Sequence, residues 1–242
     1  MISSLRTTAA TAVLAFGVLL AGCSSEPGTP PVTIGALPAD VGPAISLNGE
    51  LDPYGSFRDW PSACELVTDQ TLRSLLPQIG NITREPEARR YEITAPDMTK
   101  VPGEINVAEA RCTTRFYIPV GMLANNAGTV HTDIMLAGSP DFVQRNKRKG
   151  TGPTKGDIKG GTCEPVDTGI QCVDDSGRIQ FRLNFQLPHH GPNLKDPSRY
   201  DRNGEIVSFT TGNQDTQPRN DYIDANLTKP IVESILSRFG DS

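Results

Sequence analysis

Between Arg178 and Leu187 apolar and polar residues alternate without a break. Ile179, Phe181, Leu183, Phe185 and Leu187 fall on one side, and Arg178, Gln180, Arg182, Asn184 and Gln186 on the other. A helix would repeat its apolar positions every three or four residues, so a period of two commits this stretch to a strand. One face of its sheet must lie in a core and the other in water. The rest of the chain has to supply partners for both edges and a cover for the apolar face.

Partners are visible upstream. Cys112, Thr114, Phe116, Ile118 and Val120 share one face of a second strand, and Arg111, Thr113, Arg115 and Tyr117 share the other. A third strand, Thr129 to Leu136, turns Val130, Thr132, Ile134 and Leu136 inward and leaves His131 and Asp133 outward. Asn125-Asn126-Ala127-Gly128 is the turn between these two. Asp174-Asp175-Ser176-Gly177 marks the turn before the 178–187 strand, and Ile206, Val207 and Phe209 predict one more short strand. Residues 84–109, polar and broken by prolines, are expected to form a loop with at most a short strand around Tyr91-Glu92-Ile93. Residues 188–203 are expected to be a polar loop.

Three stretches supply the cover. Thr68 is a helix cap, followed by Leu72, Leu75, Leu76 and Ile79 as one apolar stripe, with Pro77 and Gly80 ending the element. Ser139 caps a short helix with Pro140 at its first position, Phe142 and Val143 as its apolar face and Gly150 as its end. Thr228 is expected to cap a last helix whose buried face is Ile231, Val232, Ile235, Leu236 and Phe239. The order of elements is that of an α+β fold: an antiparallel β-sheet with helices packed on one face.

The first residues set the compartment. Arg6 precedes an uncharged run from Ala9 to Leu20, too short for the roughly 20 residues that span a bilayer. Leu20-Ala21-Gly22-Cys23 then resembles the bacterial lipobox. That motif implies a diacylglyceryl group on Cys23 and cleavage after Gly22, giving an anchor on the extracytoplasmic face of the cell membrane. Residues 1–22 are therefore read as a lipoprotein signal peptide. Residues 23–44, rich in Ser, Pro, Gly and Thr, are read as a flexible linker, and 45–242 as one extracytoplasmic domain. On this reading residues 26–42 are dispensable for stability.

With Cys23 lipidated, Cys64, Cys112, Cys163 and Cys172 remain, an even set for two disulfides on the oxidising side of a membrane. Of the three connectivities, Cys64–Cys112 with Cys163–Cys172 is preferred. Cys112 points inward, which suits a bridge to the Cys64 region. Cys163 and Cys172 flank a hairpin at Val166-Asp167-Thr168-Gly169. If Asp167 and Thr168 alone make the turn, the two cysteines fall directly opposite one another. A three-residue turn ending at Gly169 would offset them by one.

The net charge of −5, one unit lower once Arg6 leaves with the leader, excludes a nucleic-acid partner, which a basic face would announce. No G-x-S-x-G, H-E-x-x-H or EF-hand spacing occurs, and no metal or cofactor site is expected. Residues 145–161 form a basic, glycine-rich loop in which Lys147, Arg148, Lys149 and Lys155 are candidates for an anionic ligand. His189-His190 lie in a loop with Asp196 and Asp201 as weak companions. His131 and Asp133 read as a solvent-facing pair. Trp60 is expected to pack near the Cys64 disulfide.

The stretch Asp59-Trp60-Pro61-Ser62-Ala63-Cys64-Glu65-Leu66-Val67-Thr68, with the lipobox, Cys112 on a following strand and the C-terminal helix, resembles an actinobacterial cell-envelope lipoprotein family of unknown function. Its members open their folded domain with D-P-C-x-L-[LV]-[TS]; here extra residues separate Asp59 from Cys64. The resemblance implies an envelope lipoprotein and an α+β domain with a Cys64–Cys112 bridge, and implies no activity. The expected function is that of a non-enzymatic binding or accessory module. Its partner would be an apolar ligand, such as an envelope lipid held between sheet and helices, or another envelope protein. A secreted hydrolase with an active site assembled only by folding is the rival.

Overall fold

The computed structural model describes residues 30–47, 60–91, 105–119, 127–155, 158–187, 198–209 and 216–239. Cys23, Glu92, Ile93, Val120, Asn125, Asn126, His189, His190 and Asp196 lie outside these residues.

The alternating stretch is strand β7 (Ile179–Gln186) of a six-stranded antiparallel sheet. Its companions are β2 (Ile82–Tyr91), β3 (Ile105–Tyr117), β4 (Ala127–Ala137), β5 (Gly161–Val166) and β6 (Gly169–Asp174), in the order β2-β3-β4-β7-β6-β5. Cys112, Thr114, Phe116, Ile118, Val130, Thr132, Ile134, Phe181 and Leu183 are buried on the inner face, as the period of two requires. The 163–172 hairpin closes with Asp167 and Thr168 as its two turn residues, since Val166 pairs Gly169 and Cys163 pairs Cys172.

Both disulfides form as preferred. Cys163 and Cys172 have Cα atoms 4.1 Å apart. Cys64–Cys112, at 5.0 Å, ties a short turn at Ala63–Glu65 to the inner face of β3. Thr132 of β4 adds a hydrogen bond to the Ala63 carbonyl at 2.8 Å. Trp60 stacks edge-on against Tyr91, with ring centroids 5.0 Å apart.

Helix α1 (Asp69–Leu75) begins where expected: the Thr68 hydroxyl accepts from the Thr71 amide, and Leu72, Leu75, Leu76 and Ile79 are all buried. Helix α2 (Pro140–Asn146) begins on the Ser139 cap and ends four residues before Gly150.

The C-terminal helix departs from expectation. It starts at α3 (Gln217–Ile223), passes through a widened π turn (Asp224–Thr228) and continues as α4 (Lys229–Leu236). Thr228 has helical angles and caps nothing; its hydroxyl bonds to Asp224 at 3.0 Å. Pro230 explains the widening. A proline lacks the amide hydrogen and its ring collides with the carbonyl four residues back, so a turn with an extra residue relieves both faults. Phe239 stacks near Phe181, which places this helix on the inner face of the sheet.

Three polar stretches are also more ordered than expected. Residues 82–91 and 105–109 are strand, not loop: β2 is an edge strand exposed on most of its length, so no apolar alternation betrays it. Residues 198–202 form β8 (Ser198–Arg202), which pairs with β9 (Glu205–Phe209) across Asn203-Gly204, both with positive φ as a tight hairpin turn demands. Finally, the expected linker is part of the fold from residue 30. β1 (Val32–Thr33) pairs in parallel with β8, and Val32, Ile34, Ile45 and Leu47 are buried. Within the expected linker itself, Val32 and Ile34, with the partly buried Leu37, were enough to anchor a stretch whose composition reads as disordered.

Candidate functional site

The outer face of the six-stranded sheet carries one polar residue from every strand in a single cross-strand row. Glu87 of β2 pairs Arg111 of β3, Arg111 pairs Asp133 of β4, and Asp133 pairs Arg182 of β7. Arg182 in turn pairs Gln171 of β6, and Gln171 pairs Glu164 of β5. Residues directly opposite on neighbouring strands point to the same side, so the row runs acid, base, acid, base, amide, acid.

Asp133 is the centre of this row. Its Oδ2 takes Arg89 in a close ion pair and Arg111 Nε at 3.6 Å. Arg89 reaches it because the β2–β3 pairing slips between Glu87 and Arg89, where Glu109 adopts a positive φ. Such a bulge re-aims the side chains beside it. The other carboxylate oxygen, Asp133 Oδ1, is buried and has no hydrogen-bond partner among the described residues, and the same holds for Nε of Arg182. An orphan acceptor and an orphan donor thus sit on cross-strand neighbours.

A cavity of about 320 Å³ opens over this point, lined by Glu87, Arg111, Thr113, His131, Asp133, Thr168, Arg182 and Asn184. Thr113 and His131, the next cross-strand pair along, meet at 3.1 Å between Oγ1 and Nδ1. His131 faces solvent as expected. Asp133 lies on its side of the strand, but its charge is turned to Arg89 and Arg111.

The basic loop closes the far end of the row instead of forming a cluster of its own. The Arg148 amide donates to Gln180 Oε1 at 3.1 Å, and its carbonyl accepts from Gln171 and Gln180 at 3.0 and 2.8 Å. The Gly150 amide bonds Glu164, the Thr151 amide the Pro165 carbonyl at 2.9 Å and the Lys155 amide the Cys163 carbonyl at 2.8 Å. These bonds cover the open edge of β5, which an unpaired edge strand needs. Lys147, Arg148 and Lys149 remain exposed. Lys155 is carried away from them, toward Asp224 at 3.8 Å and a second cavity beside the π turn. The four cations proposed for an anionic ligand are therefore split by the demands of edge pairing.

Asp201, named as a companion of the histidine pair, bonds the Gly204 amide of its own turn at 2.8 Å. Among the described residues no three His, Cys, Asp or Glu side chains converge as a metal would need. Glu87, Arg111, Asp133 and Arg182 were not singled out as a site from the sequence. Their signal was a charged residue at the outward position of each strand, which has meaning only once the register is known. Compared with family models, with curated proteins and with solved structures, the chain finds no match.

Proposed function

We propose that the chain is an extracytoplasmic lipoprotein, held to the membrane through Cys23, and that its domain is a non-enzymatic binding or accessory module working through the outer face of the six-stranded sheet. The observation that carries this reading is the polar row with its orphan pair. Glu87, Arg111, Asp133 and Arg182 of this row line an open cleft of about 320 Å³, whose polar walls suit a small polar partner. The two disulfides suit an oxidising compartment.

An apolar ligand between sheet and helices is not favoured. That space is filled by Leu72, Leu75, Ile134, Phe181, Ile231 and Ile235, all essentially inaccessible. The hydrolase alternative has one contact behind it, Thr113 with His131. A base of that kind needs an orienting group, and the carboxylate on its own strand, Asp133, is held by two guanidiniums instead.

Two measurements test the reading. Cys23→Ser should release the protein from the membrane fraction, and retention there would contradict the anchor. Hydrogen exchange of the full chain, with and without an envelope extract, should show protection in residues 129–133 and 181–184. Protection absent from these strands would contradict the binding face.

A further inference from the structure

Arg89 leads away from the row to a third cleft, of about 370 Å³, which it lines without lining the one at Arg182. Of its nitrogens only Nη1 is engaged, with Asp133 Oδ2 and with Met135 Sδ at 3.1 Å. Nε and Nη2 have no hydrogen-bond partner among the described residues and are not among the buried orphan atoms, so solvent reaches both. These two donors form one side of the guanidinium fork, the side that takes an oxyanion bidentately.

Arg148 meets Arg89 from the other direction. Arg89 belongs to β2, on one side of β4, and Arg148 lies over β7, on the other. The Gln180 side chain holds the Arg148 backbone at both ends, accepting from its amide at 3.1 Å and donating to its carbonyl at 2.8 Å. The Arg148 guanidinium is exposed and makes no hydrogen bond or ion pair among the described residues. Burial raises the pKa of Tyr91 between them, and the charges of Arg89 and Arg148 both oppose that rise. Of the four cations expected to hold an anion, Arg148 alone lines this cleft; its companions come from β2.

Charge selects the ligand. The described lining includes Arg89, Arg90 and Arg148 and no carboxylate. Arg89 and Arg111 share the one carboxylate of Asp133, and Arg148 has none, so guanidiniums exceed carboxylates by two without counting Arg90. Glu87 lines the neighbouring cleft and not this one. A phosphate monoester carries about 1.5 to 2 negative charges at neutral pH and three acceptor oxygens, enough for two guanidiniums where a carboxylate serves one. The volume exceeds what a bare phosphate fills and is at the small end for ligand sites. The cavity beside the π turn sets Lys155 and Lys229 against Asp221, Asp224 and Glu233, a mixture that selects neither sign.

We infer that this cleft binds a phosphate monoester, held between Nε and Nη2 of Arg89 and the guanidinium of Arg148. A soluble polyol phosphate and a phospholipid headgroup both present that group. The inference needs no ligand at the Asp133–Arg182 row.

The test is a titration of the isotope-labelled full chain, in detergent micelles, with glycerol 3-phosphate, acetate and glycerol, and with micelles doped with phosphatidic acid. Glycerol 3-phosphate should shift the amide resonances of Arg89, Arg90 and Arg148 saturably. Acetate should bind at least about tenfold more weakly, the loss of one charge-assisted contact, and glycerol should shift nothing. Saturation by phosphatidic acid alone would support the site and assign the phosphate to a headgroup. Arg148→Gln should weaken binding by at least about tenfold without moving the urea midpoint, since that guanidinium has no partner to lose. Lys149→Gln, next in the loop and also exposed, should bind like the parent. Arg148→Gln binding like the parent, Lys149→Gln losing as much as Arg148→Gln, acetate binding as tightly as glycerol 3-phosphate, or no saturable shift with either phosphate would each overturn the inference. Exchange protection in 129–133 and 181–184 reads the row by itself, so each site stands or falls without the other.

Discussion

Arg238 Nε donates to the carbonyl of Pro43 at 2.8 Å, across 195 residues of sequence. The same guanidinium bonds the carbonyls of Glu65 and Leu66 at 2.7 and 3.1 Å, and the Ile45 amide donates to the Arg238 carbonyl at 2.8 Å. The end of the last helix, the first described segment and the turn that carries Cys64 thus meet on one buried side chain. Burial lowers the pKa of Arg238, and the nearby Glu65 opposes that shift.

Replacing Arg238 by methionine keeps much of the packing but leaves three carbonyls without their donor. One unsatisfied buried group costs about 1–3 kcal/mol, so Arg238→Met should destabilise the fold by roughly 3 kcal/mol or more. Urea unfolding measures this, and a loss under about 1 kcal/mol would mean that solvent replaces the guanidinium.

Residues 30–42 hold Val32 and Ile34 in the core, and bond through the Ile34 amide to Asp201 and the Gly35 amide to Leu75 at 2.7 and 2.9 Å. Two buried aliphatic side chains are worth about 3–6 kcal/mol. Deleting 30–42 should lower the thermal midpoint by roughly 10 °C. An unchanged midpoint would restore these residues to the linker.

The two disulfides should differ in worth. Cys64–Cys112 closes a sequence separation of 48 and Cys163–Cys172 one of 9. Loop-closure entropy then assigns about 4 kcal/mol to the first and about 2.7 kcal/mol to the second. The double serine variant of each pair, compared by denaturant unfolding, should show the larger loss for 64 and 112; the reverse order would contradict an entropic origin.

Stability should fall above about pH 10. The Tyr91 hydroxyl donates to the Ile134 carbonyl inside the fold, and desolvation raises its pKa well beyond the ordinary tyrosine range; burial raises Tyr200 as well. In the unfolded chain both ionise near 10. Above that pH the folded state holds more protons than the unfolded state, so the stabilisation present below pH 10 is lost as pH rises toward the folded values. Tyr91→Phe should flatten the alkaline limb of a stability–pH curve measured between pH 8 and 11. A curve with the same slope in the variant would assign the fall to other groups.

Much of the inner architecture was legible because burial on one face writes a period into the chain. The faces of β3, β4 and β7 and the inward Cys112 follow from that, and the Thr68 and Ser139 caps from side-chain oxygens that accept first-turn amides. β2 was not legible, since an edge strand exposed on both faces needs no alternation. β8 hid in a polar stretch, and its one sequence signal is the hairpin dipeptide Asn203-Gly204. Thr228-Lys229-Pro230 has the form of a helix start and is a helix interior, because a π turn absorbs Pro230. As for the binding face, each member of the row was visible as an outward polar residue. Which of them stand side by side depends on cross-strand register, fixed by pairing partners far away in the chain.

We propose that the outer sheet face around Asp133 and Arg182 holds the ligand of a membrane-anchored module. Native mass spectrometry of the full chain, released from its own envelope in mild detergent, tests it most directly when the parent and Arg182→Gln are compared. A small bound mass is expected on the parent, and its loss, or a reduction of about tenfold, in the variant. The same bound mass at equal occupancy on both proteins, or none on either, would contradict it.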